Sequence, residues 1–222
     1  MYVKLLMRDF HPDDDVAFPK GYVPEVTPDE YDPGIPNQLL DYILRSESAE
    51  VVDTDLFAVM KKRRSTRKFS DKHVETMKID KIIAAADTAP TAGNFQGFEI
   101  FYIKSPEKKK LLIDACNNQP YVDAPVVLVF CKNPSRVKFS FPPYVLRKFA
   151  IQDATLAAGY SQLASQALGL SSIWIGMFDE QKIMDILETD LVPSSVLCIG
   201  YPKQSKFPKS RRNLKDLVHV VW

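Results

Sequence analysis

Cysteine, histidine and glycine are all scarce in this chain of 222 residues. The 3 cysteines, Cys116, Cys131 and Cys198, are far apart and odd in number, so no disulfide framework is expected. That usage fits a reducing compartment such as the cytoplasm. The 3 histidines, His11, His73 and His219, are equally scattered. No HExxH, CxxC or Cys/His cluster occurs, which argues against a structural or catalytic zinc site. None of the histidines falls in a motif that would supply a Ser/His/Asp triad. The 8 glycines form no GxGxxG and no P-loop, so a nucleotide-like ligand would not be held by a Rossmann or Walker loop. No stretch approaches the roughly 20 apolar residues of a membrane span. The N-terminal apolar run is too short, and acids follow it too soon, for a secretory signal. With 29 bases against 28 acids the net charge is +1, so the chain as a whole is not a polycationic nucleic-acid binder.

What is present is an ordinary globular composition, 45% hydrophobic and 26% charged, long enough to bury a sizeable core without disulfides or metal. The even charge balance hides an asymmetry. Residues 1–53 carry 12 acids and 4 bases, and the remainder 16 acids and 25 bases. The first segment also holds 6 of the 16 prolines, which block helix interiors and central strands. Only residues 38–45 read as a short helix there, with Leu39, Leu40 and Ile43 at helical spacing. Two domains of unequal character are therefore expected: an acidic, proline-rich arm over 1–53 and a basic body over 54–222. A disordered tail is the alternative for the arm, opposed by anchors such as Phe10, Phe18, Tyr22, Tyr31 and Tyr42.

Along the body, residues 54–62 read as a helix capped by Thr54 or Asp55. Residues 76–89 place Ile79, Ile82, Ile83 and Ala86 on one helical face, and Pro90 ends that run. Strands are expected over 98–103, 125–131, 171–175 and 195–199, the second apolar enough to be buried on both faces. Helices are expected over 106–117, opening on a proline, over 147–168, and from an Asp179 cap to Leu187. The helix over 147–168 is rich in Ala, Ser and Gly, so a neighbouring helix or subunit can approach it closely, and Gly169 stops it. Residues 133–145 read as an irregular loop or lid, and residues 217–222 as a final apolar strand or arm. Helices alternating with strands, plus a closing run of strands, give an α+β sandwich with a mixed central sheet flanked by helices.

Four segments can carry chemistry. Arg63, Arg64, Ser65 and Arg67 place three guanidiniums and a hydroxyl at a helix C-terminus, enough to neutralise a phosphate dianion. A solvated basic face is the commoner fate of such a run. A nucleic-acid patch over 61–68 is a third reading, opposed by the lack of a second basic-aromatic stretch nearby. The loop 90–97 carries Thr91, Asn94 and Gln96, whose donors and acceptors suit the edge of a planar heterocycle. Gly176, after Trp174 and Ile175, allows close backbone approach at a strand end. Lys209, Arg211 and Arg212 make a second cluster of phosphate size. Each segment alone has a bland reading as a surface or a turn. Together they suit a phosphorylated planar heterocycle that itself carries the reaction.

These segments, in this order, resemble the nitroreductase family of FMN-dependent flavoproteins. The resemblance runs from about Asp53 to Trp222. It rests on RRSTRKF, APTAGNFQGFEI, QDATLAAGYSQLASQALGLSSIWIGMF, LCIGYP and the PKSRR…LVHVVW tail. It implies an intertwined homodimer with two FMN sites at the interface. Arg63, Ser65 and Arg67, with Arg64 adjacent, would hold the flavin phosphate and the N1–C2 side. Pro90, Thr91, Ala92, Asn94 and Gln96 would reach the flavin of the other subunit. The backbone at Ile175 and Gly176 would donate near N5, and Lys209 and Arg211 would return to the phosphate. The implied activity is a ping-pong hydride transfer from NADH or NADPH, through FMN, to a nitroaromatic, quinone or similar planar small molecule. It implies no metal, no membrane and no nucleic acid, and no protein acid or base for the hydride step.

Departures from the family pattern are visible. The frequent Gln-Pro-Trp after the amide loop is Gln96-Gly97-Phe98 here, and Ile175 stands where many members carry Glu or another polar residue. The region before the long helix is too short for a large helical lid. It also lacks the Glu/Tyr/Lys set of the family's reductive deiodinases. Rival readings are a reductive dehalogenase or specific metabolite dehydrogenase on the same flavin site, and a flavin-binding module without turnover.

Overall fold

A computed structural model describes Val52, residues 55–204 and residues 211–222. The expected acidic arm, Val52 apart, and Lys209 lie outside the described residues. The body contains α1 (Leu56–Lys62), α2 (Thr76–Asp87), β1 (Phe98–Tyr102), α3 (Pro106–Ala115), β2 (Val126–Lys132), α4 (Pro143–Ala167), β3 (Ser171–Ile175), α5 (Glu180–Leu187) and β4 (Val192–Gly200).

The caps follow from the sequence. Asp55 Oδ1 accepts from the Phe57 and Ala58 amides at 2.9 and 3.3 Å and opens α1. Ser105 Oγ accepts from Lys108 N at 3.1 Å, with Pro106 in the first turn of α3. Asp179 Oδ1 accepts from Lys182 N at 3.1 Å and opens α5. Gly169, at φ +75°, takes the left-handed conformation just beyond α4.

The four strands lie in the order β1-β2-β4-β3, each pair antiparallel. Parallel pairing enters at the outer edge of β3, where Ser65 bridges Ser172 and Thr66 N donates to Ser172 O at 3.0 Å. Among the described residues the mixed character of the sheet is confined to that bridge. On β2 the period of two divides the core. Val126, Leu128 and Phe130 pack with Ile79, Ile82, Ala154 and Ala157 of α2 and α4. Val127, Val129 and Cys131 pack with Leu112, Ala115 and Ile183 of α3 and α5. Helices thus cover both faces of the sheet, and β2 is buried on both sides, as its apolar run predicts.

Two expectations are corrected. The long helix begins at Pro143 rather than 147, because a proline in the first turn needs no N–H partner there. The loop before it shortens accordingly and contains a single 3₁₀ turn, Pro134–Arg136. Residues 217–222 take the arm alternative rather than the strand. No ladder partner meets them among the described residues, and Val221 and Trp222 are fully exposed.

Candidate functional site

The basic segment leaves α1 and runs along the sheet edge. Its backbone is fixed at both ends, by Ser65–Thr66 on β3 and by Phe69–Ser70 against Tyr201–Pro202. There Ser70 N donates to Tyr201 O at 2.8 Å. Arg63 is half-buried at the C-cap of α1. Its pKa is depressed by burial first, then by the charges of Arg211 and Arg64. The structure therefore brings Arg63, Arg64 and Arg211 together across most of the chain length. No acid pairs with any of the three among the described residues.

Arg64 divides its donors. One terminal nitrogen donates to Lys61 O at 2.9 Å and Arg63 O at 2.7 Å, closing the end of α1. Its Nε is buried and has no protein partner. A buried donor without an acceptor is costly, and repelling cations without an acid concentrate positive potential. A bound anion relieves both, and a phosphate dianion matches guanidinium geometry. Arg67 faces another neighbour. It is exposed, with its guanidinium carbon 5.8 Å from the centre of the Tyr121 ring.

The second segment, residues 90–97, is a tight loop between α2 and β1. Gly93, Asn94 and Gln96 all have positive φ, at 57°, 60° and 45°. Its polar groups are largely satisfied inside the loop. Gln96 Nε2 donates to Asn94 O at 2.6 Å, to Asn94 Oδ1 at 2.8 Å and to Thr91 Oγ1 at 3.3 Å. Asn94 N donates to Thr91 O at 3.1 Å. The amide nitrogen of Gln96 is therefore spent on the loop rather than offered outward. Pro90 and Asn94 are exposed, and Thr91 and Ala92 half-buried.

One residue that the sequence did not single out holds this loop. Asp153 of α4 is 2% exposed. Its Oδ1 accepts from Ala92 N at 3.0 Å and its Oδ2 from Gly97 N at 3.0 Å. Burial raises its pKa, against the opposing pull of those two N–H donors. A sequence signal existed: Asp153 is an acid on the apolar face of a long helix, beside Ala150, Ala154 and Ala157. Gly97 leaves room for it, since a Cβ there would fall 2.8 Å from Asp153 Oδ2. Beyond the loop stand aromatic rings, with Phe95 edge-on to Phe139 at 5.1 Å and Phe139 next to Phe141 at 5.4 Å.

The third segment is the end of β3. Ile175 is buried within the α3/α5 side of the core, and Gly176 is exposed with its nearest neighbour the Trp174 indole. Its backbone is open to an incoming ligand. Among the described contacts none joins the loop 90–97 to the arginine cluster. The two groups sit on different elements, one on the β3 edge and the other on α4.

The sequence pattern of the nitroreductase family matches residues 60–122 and 112–201. A protein of Archaeoglobus fulgidus, provisionally named an NADH dehydrogenase/NAD(P)H nitroreductase, is 31% identical over 151 residues. That alignment covers 65% of this chain and 83% of the relative. An FMN reductase [NAD(P)H] of Bacillus subtilis is 30% identical over 164 residues, covering 67% of this chain and 66% of its own. The solved structure of the NfrA1 nitroreductase from B. subtilis superposes with a TM-score of 0.69 at 26% identity, over 74% of this chain and 73% of that one.

Proposed function

The chain belongs to the nitroreductase family, and from that premise we propose that it is an FMN-dependent oxidoreductase drawing hydride from NADH or NADPH. The observation that carries this reading is the group of mutually repelling cations Arg63, Arg64 and Arg211 with the orphaned Arg64 Nε. That donor set fits the phosphate of FMN. The names of relatives, FMN reductase [NAD(P)H] in B. subtilis and NADPH-flavin oxidoreductase in Vibrio harveyi, support the cofactor and the electron donor.

In this reading Arg63, Arg64, Ser65, Lys209 and Arg211 hold the phosphate. Arg67 lends positive charge to the N1–C2 side, where negative charge develops during reduction. The open backbone after Ile175 lets Gly176 approach the ring. Pro90, Thr91, Ala92 and Asn94, with Gln96 shaping the loop from within, line the ring edge contributed by a second subunit. When bound, FMN supplies the centre that accepts and then donates hydride. The acceptor is a planar small molecule, a nitroaromatic or quinone by class.

A homodimer is part of the proposal. Phe57, at 80% exposure, stands with Leu56 and Met60 of α1, and with Leu156 and Tyr160 of α4, as large apolar side chains on the outer surface. Between α1 and α4 lies an apolar cavity of about 360 Å³ lined by Leu56, Met60, Tyr160 and Leu163. The exposed tail, with Val218, Val220, Val221 and Trp222, is a further apolar element without cover. Clusters of this kind on a water-exposed surface mark association sites. Among the described residues no helix is long and apolar enough to cross a membrane. A cytoplasmic enzyme and a separate acidic arm over residues 1–53 complete the reading.

The test is a visible absorption spectrum of the purified protein after FMN addition and desalting, followed by anaerobic NADH or NADPH. Retained flavin that bleaches with either nucleotide is expected. Flavin lost on desalting would sink the cofactor assignment. Retained flavin that neither nucleotide bleaches would sink the electron donor.

A further inference from the structure

A buried carboxylate on the sheet-facing side of a long helix is costly unless something requires it there. Asp153 occupies such a place between Ala150, Ala154 and Ala157, all fully buried. Among the described residues it reaches no cation; its hydrogen bonds are to the backbone N–H groups of Ala92 and Gly97. Those residues bracket the turn that contains Gly93, Asn94 and Gln96, each at positive φ. Asn tolerates that backbone better than most residues, whereas Gln adopts it rarely.

We propose that Asp153 is a positioning residue for cofactor binding: its two oxygens clamp both ends of the 92–97 turn and so fix the ligand-facing edge of the loop.

Three observations converge on this. The clamp is bidentate, one oxygen to each end of the turn, so it defines the width of the turn as well as its location. The residue at the second end is glycine, and an added Cβ would meet Asp153 Oδ2 at 2.8 Å and Val137 Cγ2 at 2.8 Å. A substitution at Gly97 would thus displace the carboxylate. Finally, the internal bonds of Gln96 to Thr91 and Asn94 stiffen the turn between the clamped ends. The loop reaches the ligand already shaped, which lowers the ordering cost of binding. The proposal rests on the reading of this loop as part of a flavin site.

The experiment compares wild type with Asp153→Asn, which keeps the shape but replaces one acceptor by a donor. FMN affinity is measured by fluorescence titration, amide hydrogen exchange is followed at residues 92 and 97, and global stability is measured by urea. The expected result is an FMN affinity about tenfold weaker, because a turn released at one end must be ordered when the ligand binds. Exchange should accelerate at 92 or 97 by more than any change in the unfolding midpoint accounts for. Unchanged affinity and exchange would overturn the proposal. So would a loss of affinity that merely tracks a fall in the midpoint, since a purely structural residue predicts that. If the variant does not fold, exchange in wild type decides: amides 92 and 97 as unprotected as an unfolded chain would overturn the clamp. Wild type that binds no FMN would instead remove the flavin reading, and the exchange measurements would still test the clamp.

Discussion

The basic segment and the amide loop are built on opposite principles. Around Arg63 the protein gathers cations that repel one another and leaves the Arg64 Nε without a partner. In the 90–97 loop the Gln96 amide nitrogen is bonded internally and the Ala92 and Gly97 N–H groups are bonded to Asp153. The first region is completed only by an anion. The second is complete beforehand and offers shape. A site divided in this way takes its affinity from charge on one side and its geometry from a rigid turn on the other.

The largest effect that tests this contrast is on the charged side. Arg63→Ala should weaken FMN binding by about 10- to 100-fold, the loss of a hydrogen bond to a charged group. The stability of the protein without FMN should hold or rise, because a repelled charge is removed. Titration by fluorescence and a thermal scan without FMN check both halves. A stability loss that matches the affinity loss would show that Arg63 supports the fold instead.

Gly93→Ala should show the reverse signature. Its Cβ would lie 2.6 Å from Phe139 Cζ and 2.8 Å from Phe95 Cε2, in a backbone at φ +57°. Overpacking and strain together should cost about 1–3 kcal/mol of stability, read from urea unfolding in the absence of FMN. Full stability would mean that the loop is not the preformed body described above. Arg67→Ala should be milder on both counts. Its contact with Tyr121 is worth about 0.5–1 kcal/mol at an exposed site, and FMN binding should weaken by less than Arg63→Ala does. Equal losses from the two substitutions would place Arg67 within the charge cluster.

This contrast also explains what could be read from the chain itself. The basic segment is legible because its guanidiniums are adjacent in sequence and follow a helix whose Asp55 cap is visible. The strand over 125–131 is legible because both of its faces are apolar. The strand order is not, since antiparallel pairing of β2 with β1 and β4 depends on long-range choices that local pattern does not encode. The approach of Arg211 to Arg63 is legible only as two phosphate-sized clusters that suit one ligand, and the family resemblance adds that Arg211 returns to the same phosphate. Pro142-Pro143 reads as a loop until its place in the first turn of α4 is known. Asp153 is less legible, because an acid in an Ala/Ser-rich helix passes for part of its solvent face. Its partners are backbone amides, which every sequence has and which leave no signature.

The smallest effect separates the two regions by pH. Burial raises the Asp153 pKa above its ordinary 3.8, so the folded protein holds that proton more tightly than the unfolded chain does. The stability this contributes is fully present below the unfolded value and is lost as pH rises through the folded one. At neutral pH wild type therefore carries a buried carboxylate, a cost that Asp153→Asn does not carry. Below the unfolded value of 3.8 the protonated acid and the amide are alike in charge. The stability of the variant relative to wild type should thus be more favourable at neutral pH than in acid, measured by urea unfolding across that range. No titratable side chain of the loop 90–97 confuses the comparison, since the loop has none. Arg63→Ala should show no such drift, because a guanidinium stays charged throughout. A difference that runs the other way, with the variant less favoured at neutral pH than in acid, would mean that the two N–H donors outweigh burial. The clamp would then add to stability as well as to shape, and the contrast between a charged half and a preformed half would narrow to the arginines alone.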